Sequence, residues 1–136
     1  MKEILIFKES KTKQISNARD LFKQLKKIEI NYHQENMIVV YLNTKNEVLG
    51  SDVLFKGGLD CCSLDSKTLF RNALINNSRK IIIAHNHPSG DLKPSYEDKE
   101  VFRELQKAGS IIDLPIIDSI IFNEKEFYSM EEMENK

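Results

Sequence analysis

The sequence predicts an α/β fold in which one mixed β-sheet is flanked by helices. Three observations carry that expectation. Segments with helical apolar spacing alternate with segments of strand character, which is the order of an α/β layer architecture. The run Ile81, Ile82, Ile83, Ala84 is apolar at every position, as suits a strand covered on both faces. The chain has 136 residues, 40% of them hydrophobic and 30% charged. That is enough for one core and well short of the ~250 residues of a (β/α)₈ barrel.

Taken in order, Ile4 to Lys8 reads as a short strand. Ala18, Leu21, Phe22 and Leu25 recur at helical spacing within 17–27, and Ser16 stands where an N-cap is expected. Asn36 to Leu42 reads as a strand, with Ile38, Val40 and Leu42 on one face and Glu35, Met37, Val39 and Tyr41 on the side of the other. A turn at 43–46 returns the chain along Glu47 to Phe55 as a hairpin. Leu69, Phe70, Ala73 and Leu74 define a helix over 65–76, stopped near Asn77. Lys80 to His85 is the apolar strand. Ser95 opens a further helix whose stripe is Val101, Phe102, Leu105 and Ala108, with Gly109 as its expected end. Pro115 to Phe122 and Lys125 to Met130 form a final strand pair, and the polar tail after Met130 is expected to fray.

Charge and composition exclude several classes of function. Lys and Arg number 20 against 21 Asp and Glu, so bulk charge gives nucleic-acid binding no support. No apolar run approaches the ~20 residues of a membrane span, and the first residues lack the shape of a signal peptide. The adjacent pair Cys61-Cys62 is not a disulfide framework, and with no targeting segment it points to a reduced, cytoplasmic setting. One domain over 1–136 is expected, with its core at about 14–128.

The chemistry gathers at AHNHPSGDLKPSYED. His85 and His87 are two apart at a strand end, so an extended backbone projects both imidazoles to one side and Asn86 to the other. Two of the chain's 3 histidines therefore fall in one tripeptide, ahead of a Pro-Ser-Gly turn. Neutral imidazoles in that arrangement suit one divalent metal. Asp98, in the first turn of the next helix, supplies a third ligand and leaves a fourth position open, as at catalytic zinc sites. Ser95-x-x-Asp98 also reads as a capping box, and a capped first turn would hold Asp98 rigid for a metal. A water on such an ion needs a carboxylate to take its proton. Glu35 is placed for this at a strand start, although by position alone a solvated surface charge is the better reading. Asp91 reads as a loop-capping group or as a partner that supports a ligand, the former being favoured. Lys23, Lys26 and Lys27 read as a solvated helix face. A Cys/His nucleophile pair built on His33 or His87 has no positional support.

HNHPSGDLKPSYED resembles the JAMM metal motif, in which His-x-His is followed by seven residues, Ser, two residues and Asp. Its wording is that of the RadC-like branch of the JAB/MPN proteins. ENMIVVYLNTKNEVL, FKGGLD, LFRNAL and LPIIDSIIF resemble that family's strand and hairpin, Lys-Gly-Thr-Leu segment, central helix and closing strand, so the likeness spans about residues 14–128. The resemblance implies a JAB/MPN sandwich, similar in outline to cytidine deaminases, and a zinc hydrolase site. It implies Zn²⁺ on the residues matching His85, His87 and Asp98. It also implies an acid/base role for Glu35, a role for Ser95 in stabilising the tetrahedral intermediate, and hydrolysis of a peptide or isopeptide bond in an as yet unknown protein substrate. Deaminase chemistry itself would need a His-x-Glu at the metal motif and a Cys-x-x-Cys, but Asn86 is followed by His87 and the two cysteines are adjacent.

Three departures from the family pattern stand out. Its N-terminal helix-hairpin-helix region is expected to be absent, with only ~13 residues ahead of the domain, and with it the best carrier of DNA binding. Asp-His in the closing strand is Asp118-Ser119 here. His-Pro-Arg before the central helix is replaced by Leu64-Asp65-Ser66-Lys67, where Lys67 only partly substitutes for an arginine. The expectation is a zinc-dependent JAMM-type hydrolase. An accessory role in DNA transactions and a non-catalytic metal-binding interaction domain are the alternatives.

Overall fold

The computed structural model describes residues 3–5, 14–56 and 65–134. The elements are β1 (Glu3–Leu5), α1 (Ala18–Leu25), β2 (Asn36–Leu42), β3 (Val48–Lys56), α2 (Ser66–Ile75), β4 (Lys80–His85), α3 (Tyr96–Ile111), β5 (Ile116–Phe122), β6 (Phe127–Ser129) and α4 (Met130–Glu134). The strands form one mixed sheet in the order β1-β3-β2-β4-β5-β6. Only β4 and β5 run parallel, joined across α3 as a crossover helix. The α/β expectation with a mixed, helix-flanked sheet is therefore met.

The two faces of the sheet bury separate cores. On one, Ala18, Leu21, Phe22 and Leu25 of α1 pack on Ile38, Val40, Leu42, Ala84, Ile120 and Phe122. On the other, Leu69 and Ala73 of α2 and Val101, Phe102 and Leu105 of α3 pack on Met37, Val39, Tyr41, Ile81 and Ile83. The alternation read in β2 is thus the true division of its faces, and every residue of that strand is buried. Central strands need apolar residues on both sides, and this explains the unbroken run of β4.

The buried face under α2 carries a cluster of polar side chains. The carboxylate of Asp52 accepts from the Tyr41 hydroxyl at 2.6 Å and the Asn72 amide at 2.9 Å, which ties α2 to the hairpin. Burial and the neighbouring Asp52 push the Tyr41 hydroxyl pKa far up, so it stays a donor.

Several local expectations are corrected. Asn17, not Ser16, caps α1: its side chain accepts from the Asp20 amide at 2.9 Å, while Asp20 reaches back to the Ser16 amide at 2.9 Å. Gly109 does not end α3, which runs on to Ile111. The helix stops where Asp113 takes a left-handed φ of 59° and the Leu114 amide bonds back to the Gly109 carbonyl at 2.8 Å. Gly109 is needed because a β-carbon there would run into the carbonyl oxygen of Leu114 as the chain folds back. The last strand is only Phe127–Ser129, and instead of fraying, the tail as far as it is described, to Glu134, forms α4. Met130 is buried, the Glu131 amide donates to Asp118 at 3.0 Å, and the Glu132 carboxylate accepts the Ala18 amide at 2.9 Å. The first strand is seen only at Glu3–Leu5. The rest of that expected strand, Cys61, Cys62, Leu64 and the FKGGLD segment from Gly57 onward lie outside the described residues. Asp65, described, caps α2 through the Lys67 and Thr68 amides, and Lys67 is exposed.

Candidate metal centre

The site forms where β4 ends and α3 begins. Antiparallel pairing sets Met37 opposite His85. Continuing that register brings Asn36 opposite Asn86 and Glu35 opposite His87, because each step on one strand is matched by a step back on the other. Glu35, Met37, His85 and His87 then share one side, the side that α3 covers. The Pro88-Ser89-Gly90 turn, with Gly90 at φ 83°, redirects the chain towards α3.

Asp98 is placed by the start of that helix. Ser95 is the N-cap and forms a full capping box: its hydroxyl oxygen accepts the Asp98 amide at 3.0 Å, and Asp98 Oδ2 accepts the Ser95 amide at 2.8 Å. The box aims the carboxylate at the imidazoles. Its Oδ1 lies 2.9 Å from His85 Nε2 and its Oδ2 lies 2.9 Å from His87 Nε2. The rings are 5.2 Å apart at their centroids. One ligand atom from each of Glu35, His85, His87 and Asp98 falls within 4.8 Å of all the others. Ligand atoms around one tetrahedral zinc stand ~3.3 Å apart, so the four side chains converge on a volume of the right size.

The donor set fits a metal on its own evidence. His85 is 1% exposed, and neither ring nitrogen has a hydrogen-bond partner among the described residues. Although Nε2 lies close to Asp98, the contact lacks hydrogen-bond geometry. Leaving both nitrogens of a buried imidazole unsatisfied is costly, and a cation on one of them removes part of that cost. His87 is fixed differently: Nδ1 lies 2.7 Å from the Asp91 carbonyl oxygen, which holds the ring from behind. Burial alone would raise the Asp98 pKa, but the two imidazoles and the Ser95 amide outweigh it and hold the carboxyl well below its usual range. The hydrogen bond to Asp98 pushes the His87 pKa up against the opposing effect of burial.

All five residues singled out in the sequence thus lie together. Ser95 is exposed beside the cluster, its hydroxyl oxygen occupied by the Asp98 amide. Ser119 is fully buried opposite Ile83, and its Oγ has no hydrogen-bond partner among the described residues. It sits two residues down β5 from Ile121, the partner of His85. Asp91 is, as expected, a loop-capping group, its Oδ1 accepting the Lys93 amide at 3.1 Å. What sequence reasoning missed is its backbone carbonyl, together with three asparagines, Asn36, Asn86 and Asn123. Asn123 donates to the Gly90 carbonyl at 2.9 Å and so anchors the turn between His87 and α3 from the β5–β6 connection. The signal for Asn86 was present, since alternation points it away from the histidines into the body of the fold.

The sequence profile of RadC-like JAB domains matches residues 13–135. The chain belongs to the RadC-like JAB domain family. It is 31% identical to a UPF0758 protein of Chlorobium chlorochromatii over 94% of its own length and 58% of the relative's. It is 35% identical to a UPF0758 protein of Flavobacterium johnsoniae over 88% of this chain and 52% of that one. A third UPF0758 protein, from Clostridium beijerinckii, is 39% identical over 87% and 52%. The chain therefore spans about half the length of the curated relatives it matches. Within this JAB domain, among the described residues, no helix is long and apolar enough to cross a membrane.

Proposed function

We propose that this JAB domain is a zinc-dependent hydrolase that cleaves a peptide or isopeptide bond in a protein substrate. The observation that carries the reading is the convergence of Glu35, His85, His87 and Asp98. His85, His87 and Asp98 would hold the ion, two neutral nitrogens and one anionic oxygen being a donor set suited to zinc. Bound there, the ion supplies Lewis acidity, which polarises a carbonyl and lowers the pKa of water to about 7.

The remaining work falls to the chain's own groups. Glu35 approaches from the neighbouring strand, partly exposed, so its carboxylate can take a proton from the attacking water and pass it to the leaving amine. Ser95 donates its hydroxyl hydrogen to the developing oxyanion while its oxygen still caps α3, since one hydroxyl can accept and donate at once. The capping box keeps Asp98 from rotating away during this exchange.

Metal analysis joined to substitution tests the reading. Protein purified without chelators is expected to carry about one zinc per chain, lost in H85A/H87A. E35Q is expected to keep the zinc and lose cleavage of a peptide or isopeptide found by library screening. Protein devoid of metal, or E35Q as active as the parent, overturns the assignment. Duplex binding that falls steeply with salt, without any hydrolysis, would instead favour an accessory role in DNA transactions.

A further inference from the structure

Asn86 lies between the two imidazoles in sequence, yet its side chain turns to the opposite face and is completely buried. Its Oδ1 accepts from the Asn36 amide at 2.9 Å and from Asn36 Nδ2 at 3.1 Å. Its Nδ2 donates to the carbonyls of Gln34 at 3.0 Å and Tyr32 at 3.3 Å. Asn36 Nδ2 closes the network on the carbonyls of Asn31 and Gln34, both at 3.0 Å. The residues immediately before and after Glu35 are therefore bonded to one side-chain amide, which itself belongs to the strand end bearing the histidines.

We propose that Asn86 is a positioning residue that holds Glu35 in place relative to the two imidazoles by clamping the backbone on both sides of it. The inference rests on the metal-centre reading above. Glu35 stands one residue ahead of β2, and these bonds fix the backbone on either side of it. The imidazoles are held by other means: His85 by the pairing of β4 with β2 and β5, and His87 by the Asp91 carbonyl. The chemistry selects asparagine. The clamp needs one acceptor and two donors in a single buried plane; aspartate would set charge against two carbonyls, and serine offers one donor on too short an arm. Alanine would leave buried backbone groups of Asn36 and Gln34 short of a partner.

The test is a double-mutant cycle on the rate and pH profile of cleavage of the screened peptide, with zinc affinity measured beside it by competition with a chromophoric chelator. The proteins are the parent, N86A, E35A and N86A/E35A. If Asn86 acts through Glu35, N86A keeps zinc affinity within about twofold, while cleavage falls about tenfold with a shifted pH profile in the parent and less than about threefold further when Glu35 is already gone. N36A, which breaks the same clamp from the β2 side, is run in parallel and must show the same dependence on Glu35; it decides the matter if N86A does not fold. Equal losses with and without Glu35 overturn the proposal and leave the hydrolase reading standing. A parent chain that binds no zinc overturns both.

Discussion

The Nδ1 of His87 lies 2.7 Å from the backbone carbonyl oxygen of Asp91. A carbonyl can only accept, so Nδ1 carries a hydrogen, and the nitrogen left to donate to Asp98, or in the neutral ring to offer a lone pair to a metal, is Nε2. Which nitrogen of His87 is left for a metal is thus set by the backbone of the loop that carries Asp91. The loop is held by the Gly90 amide on the His87 carbonyl at 2.8 Å and by Asn123 on the Gly90 carbonyl.

Asn123→Ala should therefore loosen the site from a distance. It removes the anchor of the turn and the acceptor for the Lys125 and Glu126 amides. Zinc affinity is expected to fall about three- to tenfold, with a stability loss of about 1 kcal/mol. Chelator competition and urea denaturation of the same sample measure the two effects. Unchanged affinity would show that the loop does not orient His87.

Ser95 caps α3, and substitution can separate that role from the oxyanion role proposed for its hydroxyl. Ser95→Ala removes the cap and the hydroxyl together, at a cost of about 1 kcal/mol. Ser95→Asn keeps an N-cap acceptor but has no hydroxyl, so its melting temperature should stay close to the parent's. Hydrolysis is expected to drop in both by about 10²-fold if the hydroxyl serves the oxyanion. Parent-like turnover in Ser95→Asn would confine the residue to capping.

Asp118 should give the fold a distinctive acid response. Burial raises its pKa despite bonds from the Ser129 hydroxyl and the Ser119 and Glu131 amides. A carboxyl whose folded pKa exceeds its unfolded value favours the native state most when protonated. Its contribution is complete below about 3.8 and is lost as pH rises through the folded value. Asp118→Asn keeps the shape and removes the titration. Its stability relative to the parent should therefore rise between acid and neutral pH, as followed by urea midpoints. A parallel pH dependence in the two proteins would show that Asp118 is not the source.

Gly109→Ala is expected to destabilise by about 2–3 kcal/mol, although alanine is the better helix former, because its β-carbon meets the Leu114 carbonyl where α3 folds back. Urea unfolding of the variant checks this. A gain in stability would mean that the backward turn adapts freely.

The contrast between Gly109 and His85 shows what the sequence made legible. β2, β4 and α3 announce themselves through apolar spacing, because each is long and buried on a definite face. The ligands announce themselves through spacing too, since a strand end, a rigid turn and a capped helix leave few ways to arrange them. Gly109 misleads because a glycine near a helix end has two uses, a left-handed stop or room for a close contact, and only the folded chain tells them apart. The segment MEEME has no apolar stripe of its own and becomes helical through Met130 burial and a bond to Ala18, 114 residues away. Likewise, Asn36 and Asn86 are ordinary polar letters until the β2–β4 register brings them face to face.

The adjacency of β2 and β4 has a consequence for how such a chain can change over time. The base and the paired imidazoles are neighbours across one ladder, while the polypeptide between them, through β3 and α2, loops away and returns. The hairpin turn at 43–46 sits at the far end of that ladder. Residues can be inserted or exchanged at that turn without altering how Glu35 meets His87, so variation there can accumulate while the cluster of Glu35, His85, His87 and Asp98 stays intact.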